Sequence, residues 1–133
     1  VTFTVRKVSF SHCLILGRKA SAEDIERWSA TLDEGKVNVP NMMVQLMQTR
    51  EFMEKYAIVG LADRAYVRFV YHLLLSREAD GAGLDSYSDQ LRTGAMTRES
   101  VAFGLVTSSE FATKYSTYLA ENTKAVPEAQ AAN

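Results

Sequence analysis

The run Glu51-Phe52-Met53-Glu54-Lys55-Tyr56 returns 59 residues later as Glu110-Phe111-Ala112-Thr113-Lys114-Tyr115. Working outward from it, residues 8–56 lie over residues 67–115 without a gap. The two stretches agree at 14 of 49 positions, where unrelated sequences would share roughly three. Arg18 falls on Arg77, Leu32 on Leu91, Gly35 on Gly94 and Leu46 on Leu105. Near matches fill in between: Ile25 with Leu84, Trp28 with Tyr87, Thr49 with Ser108. A fixed period of this kind marks one supersecondary unit used twice. The fold is therefore expected to be that of the unit, repeated.

The unit reads as helical. Ile25, Trp28 and Leu32, with their counterparts Leu84, Tyr87 and Leu91, recur at i, i+3, i+7, the spacing of one helix face. Phe10, Cys13 and Leu14, and Phe69, His72 and Leu73, recur at i, i+3, i+4. Start signals divide these runs. Thr4 and Asp63 are candidate caps for the first helix of each copy, Ser21 and Asp80 for the second, Asn38 and Thr97 for the third, Thr49 and Ser108 for the fourth. Ser21 with Asp24 forms a short capping box. Pro40 fits a first helical turn, and Gly17, Gly35, Gly60 and Gly94 fit left-handed helix ends. Helices are predicted over 5–16, 22–34, 40–48 and 50–57, then 64–75, 81–93, 98–107 and 109–120. Val1 to Val5 alternates with strand period, but five residues without a partner do not make a strand. The expectation is all-α: two tandem four-helix repeats, 1–59 and 60–120, packed as one compact domain. Residues 121–133, with no large apolar residue beyond Val126, read as a disordered tail or linker.

Length and composition bound the partners. A chain of 133 residues with 47% apolar and 23% charged content can build a core without staples. A net charge of −1 argues against nucleic acid or an anionic membrane as partner. No stretch approaches the ~20 apolar residues of a membrane helix. The single cysteine, Cys13, excludes an intrachain disulfide. The chain does not begin with methionine and reads as a piece or a processed form of a longer protein.

Chemistry is sparse. His12, Cys13 and His72 would have to converge for zinc, yet adjacent helical residues point about 100° apart. The plainer reading makes Cys13 a small buried residue and His72 a helix-face residue. Ser76, Glu78 and Asp80 begin like a calcium loop, but Tyr87 stands where a bidentate Glu belongs; Asp80 reads better as a cap. No Ser–His, Cys–His or phosphate-loop pattern appears, so neither catalysis nor a cofactor is expected. The tentative ligand-binding residues are Arg18, Arg77, Trp28 and Tyr87. For the arginines, tying down free carbonyls at a helix end outweighs presentation to an anionic or glycan ligand. For the aromatics, the apolar stripe outweighs sugar stacking.

The second copy resembles a bacterial family, the domain-of-unknown-function 4214 family. The likeness is carried by the run Leu73 to Tyr87, then Gln90-Leu91, Gly94 and Ser108-Ser109-Glu110-Phe111. Ser76 stands in place of the family's usual Gly and Ala79 in place of its Pro. The first copy fits more loosely, through Gly17-Arg18, Ile25, Trp28, Leu32, Gly35 and Glu51-Phe52. The order of elements is also similar to phycobilisome linker domains. The resemblance implies a non-catalytic helical module found beside glycosyltransferases and proteins of bacterial exteriors. Its expected partner is a cell-surface or secreted glycan, or another protein. The alternatives are a structural linker joining subunits and an accessory domain of a fused glycosyltransferase.

Overall fold

Side-chain caps divide the chain into short helices, and the division decides where each polar residue lands. The computed structural model describes residues 3–119. In order these form α1 (Phe3–Ser11), a π-helical turn (His12–Leu16), α2 (Ala22–Asp33), α3 (Val39–Leu46) and α4 (Arg50–Lys55). A 3-10 turn (Ile58–Gly60) leads to α5 (Asp63–Leu75), α6 (Gly81–Thr93), α7 (Arg98–Val106), α8 (Ser109–Lys114) and α9 (Ser116–Leu119). Every regular element among the described residues is helical. The tail expected over 121–133 lies outside them.

Most of the expected caps are in place. The Ser21 hydroxyl accepts the Asp24 N–H while the Asp24 carboxylate accepts the Ser21 N–H, each at 3.0 Å, completing the capping box. Asn38, Thr49, Asp80, Thr97 and Ser108 each accept the N–H three residues on. As a result α2, α3 and α4 begin 59 residues before α6, α7 and α8, as residues 22, 39 and 50 stand to 81, 98 and 109.

Other local readings need correction. Thr4 lies inside α1, and its hydroxyl donates to Asp33 Oδ1 at 2.8 Å instead of capping. Asp63 is the first residue of α5, not its cap; Ala62 holds that place, and Arg98 grips the Asp63 carboxylate at 3.0 Å. Gly60 ends a 3-10 turn, and the left-handed conformation falls on Ala57 at φ 50°. The helix expected over 109–120 breaks at Tyr115 into α8 and α9.

The largest correction concerns the first helix. Cys13 is exposed, not buried. The inward stripe is Val8, Ser11, His12, Ile15 and Leu16, in register with Val67, Val70, Tyr71, Leu74 and Leu75, and all ten are buried. Ser11 and His12 hid this stripe because they are polar. Both are satisfied locally: Ser11 Oγ donates to Lys7 O at 2.8 Å and His12 Nδ1–H to Val8 O at 2.9 Å. These are the carbonyls an α-helix offers its own amides, and the backbone widens into the π turn directly afterwards.

One hydrophobic core joins the two halves. Ile15, Leu16, Met43, Leu46 and Phe52 pack in one cluster with Val67, Leu74, Leu105 and Phe111. The expected core leucines Leu46 and Leu105 are 2% and 4% exposed. α1 packs on α2 and α5 on α6, while α3 meets α7, the π turn meets α5, and α9 covers α1. Phe52 and Phe111 meet Tyr56 and Tyr115 edge-on at 5.0 and 4.8 Å. The repeated hexapeptide thus supplies a core ring and an aromatic edge in each half.

Candidate functional site

Arg18 and Arg77 hold the same post in each half, in the turn after the first long helix. Arg18 donates from Nε and Nη2 to Glu51 Oε2 and Oε1 at 2.6 and 3.0 Å. Arg77 does the same to Glu110 at 2.7 and 2.9 Å. The planar guanidinium matches a carboxylate edge to edge, so each pair acts as a two-point clamp. A third N–H of each arginine bonds the carbonyl of the next residue, Lys19 or Glu78. The clamps fasten these turns to the starts of α4 and α8. Hydrogen bonding to Glu51, and then to Asp24, raises the Arg18 guanidinium further; the same bond holds the Glu51 carboxyl below its usual range. Arg77 and Glu110 shift in the same directions for the same reason.

The halves differ beside the clamps. In the first, Arg18 Nη1 also reaches Asp24 Oδ2 at 2.9 Å, and the ring of His12, 1% exposed, brings Nε2 to 3.8 Å from the same oxygen. Burial alone would raise the Asp24 carboxyl. Ser21 and Arg18 outweigh it and hold that group well below the carboxylate range. In the second half Tyr71 replaces His12 and Gly83 replaces Asp24. The Arg77 guanidinium lies 5.1 Å over the Tyr71 ring, and Tyr71 packs 6.3 Å from Tyr87.

The two aromatic candidates lie half buried against the core. Trp28 carries the Arg27 guanidinium 5.6 Å above its ring. Its indole N–H is buried and has no hydrogen-bond partner among the described residues. Arg18 spends its hydrogen bonds on Glu51, Asp24 and the Lys19 carbonyl. Asp80 Oδ2 accepts the Gly83 N–H at 2.9 Å as a cap. Among the described residues no three His, Cys, Asp or Glu side chains gather for a metal. No helix there is long and apolar enough to cross a membrane.

A second contrast between the halves lies at the start of α3. In the second half Arg98 Nη2 donates to Leu61 O at 2.6 Å and to Asp63 Oδ1 at 3.0 Å. Its guanidinium sits 4.8 Å over Tyr66, whose hydroxyl donates to Arg98 O at 3.1 Å. Burial, with Glu99 nearby, pushes the Tyr66 phenol up to about 12. The residues 59 earlier than Arg98, Asp63 and Tyr66 are Val39, Thr4 and Lys7. They border an open cleft of about 730 Å³, whose wall includes Asp33, Asn38 and Asn41.

The chain matches the family model of a domain of unknown function, DUF4214, over residues 43–115. That is more than half of its length, and the chain belongs to this family. No curated protein and no solved structure matches it.

Sequence reasoning missed the partners of the arginines. It did not pair them with Glu51 and Glu110, although both arginines and both glutamates recur. The separation from 18 to 51 equals that from 77 to 110, and this constant spacing was the available signal. Nothing comparable marked Asp24 or His12, which occur in one half only.

Proposed function

We propose that the chain is a helical module acting by binding or assembly rather than catalysis. It comprises two copies of one unit and belongs to a larger bacterial protein. Its partner is a cell-surface or secreted glycan, or a glycan-processing enzyme to which it is joined. One observation carries this reading: the arginines and glutamates common to both halves, and the residues that cap their helices, are engaged within the fold. Arg18–Glu51, Arg77–Glu110 and the helix caps hold turns in place. The halves also differ at an open surface, the cleft beside Asn38. A scaffold that repeats its architecture and varies its surface is suited to recognition.

An array of bacterial polysaccharides, followed by calorimetric titration, tests the reading. Saturable binding is expected. Silence across the array, together with discrete oligomers on sizing, would transfer the assignment to a linker that joins protein subunits. Trp28→Ala separates its two roles: retained fold with lost binding marks a stacking platform, and loss of fold marks core.

A further inference from the structure

At the start of α3 the halves differ in the space they leave. In the second half Arg98 bonds Ile58 O, Leu61 O and the Asp63 carboxylate, lies over the Tyr66 ring and accepts the Tyr66 hydroxyl on its carbonyl. In the first half a shorter Val39, with Thr4 and Lys7, leaves a cleft of about 730 Å³, within the ~300–1,000 Å³ of small-molecule sites.

The wall carries groups of both signs. The Asp33 carboxylate accepts from Thr4 at 2.8 Å and has further acceptor capacity. Asn38 gives its side-chain oxygen to the Asn41 N–H at 2.9 Å, and its amide nitrogen is a donor. Lys36, paired with Glu34 at 3.1 Å, adds a cation at the rim. Leu32 and Val39 provide apolar surface. A strong anion would meet Asp33, and a strong cation would meet Lys36. Hydroxyl groups suit both, because each donates and accepts at once without charge. Their C–H faces suit the leucine and valine.

We infer that this cleft is a saccharide subsite in which Asp33, Asn38 and Asn41 bond ligand hydroxyls over Leu32 and Val39. It rests on the glycan-binding reading above and gives that reading a location. In the second half the matching positions are occupied by Arg98 and Asp63, which are paired with each other at 3.0 Å.

The test titrates the full chain with cellohexaose, maltohexaose and chitohexaose, and follows the Asn38 and Asn41 side-chain amides by NMR. Saturable binding of at least one, with shifts at both amides, is expected. Val39→Arg with Thr4→Asp rebuilds the Arg98–Asp63 pair in the first half and should weaken binding at least tenfold with the fold intact. Should that variant fail to fold, Asn41→Ala and Asp33→Asn serve instead, each expected to weaken binding several-fold. Binding unchanged in these variants, with amide shifts elsewhere, overturns the subsite and leaves the glycan reading standing. No binding of any of the three sugars by the unaltered chain also overturns it. The polysaccharide array then decides separately whether the broader reading falls.

Discussion

The Tyr71 hydroxyl lies 2.7 Å from the point where a β-carbon on Gly83 would stand. A β-carbon at position 83 would therefore press on the Tyr71 hydroxyl. In the first half the shorter His12 ring stands at the tyrosine position, and Asp24 stands at the glycine position. The two halves carry alternative solutions to one packing problem. Gly83→Ala should destabilise by about 1–3 kcal/mol through overpacking, and Tyr71→Phe should recover part of the loss. A double-mutant cycle from urea melts measures this coupling; purely additive effects would refute the contact.

The first-half clamp should matter more than the second. Arg18 serves Glu51 and the largely shielded Asp24, whereas Arg77 serves the exposed Glu110 and lies 3.8 Å from Asp80. Arg18→Ala should cost roughly 1–3 kcal/mol, chiefly because it strips Asp24 of its cation. Arg77→Ala should cost less, as exposed ion pairs contribute little. Matched thermal and urea melts of the two variants rank them.

Acid should weaken the fold through the same network. Asp24 and Glu51 are held below their unfolded pKa of about 4. A group depressed in the folded state adds stability that is present above its unfolded pKa. That stability is lost as pH falls toward the folded value. The urea midpoint should therefore drop from about pH 5 downward, and drop less steeply in Asp24→Asn. Equal slopes in the two proteins would remove Asp24 from the explanation.

Ser76 ends α5 in the left-handed conformation at φ 55°, where its counterpart Gly17 has φ 68°. A side chain is strained there and glycine is not. Ser76→Gly should stabilise by about 1 kcal/mol. Gly17→Ser should destabilise more, because its β-carbon would also meet Lys55 Nζ at 2.7 Å. That ammonium already donates to Leu16 O at 2.6 Å. Differential scanning calorimetry of both variants gives opposite signs if this holds.

Leu46→Ala and Leu105→Ala should each cost on the order of 2–5 kcal/mol, as expected for buried leucines. A loss under about half a kcal/mol at both would mean that the core lies elsewhere.

The helix starts were legible because a cap acts within three residues. Ser21, Asn38, Thr49, Asp80, Thr97 and Ser108 announce themselves locally. Leu46 and Leu105 were legible from the repeat. The stripe through Ser11 and His12 was not, since their burial depends on hydrogen bonds that composition does not display. Thr4 looked like a cap but bonds Asp33, a partner 29 residues away. Arg98 offered no hint that it would fill the space its counterpart Val39 leaves open. The pairings missed at Thr4 and Arg98 are non-local, made by helices distant in sequence.

The meeting of α3 with α7, and of the π turn with α5, joins segments to their own counterparts 59 residues on. A surface that fits its own counterpart is what two-fold symmetric dimers use. A polypeptide ending after one half would carry that adhesive face uncovered, and its folding would depend on finding a second molecule. Joining the halves in one chain makes the encounter intramolecular, at an effective concentration on the order of millimolar.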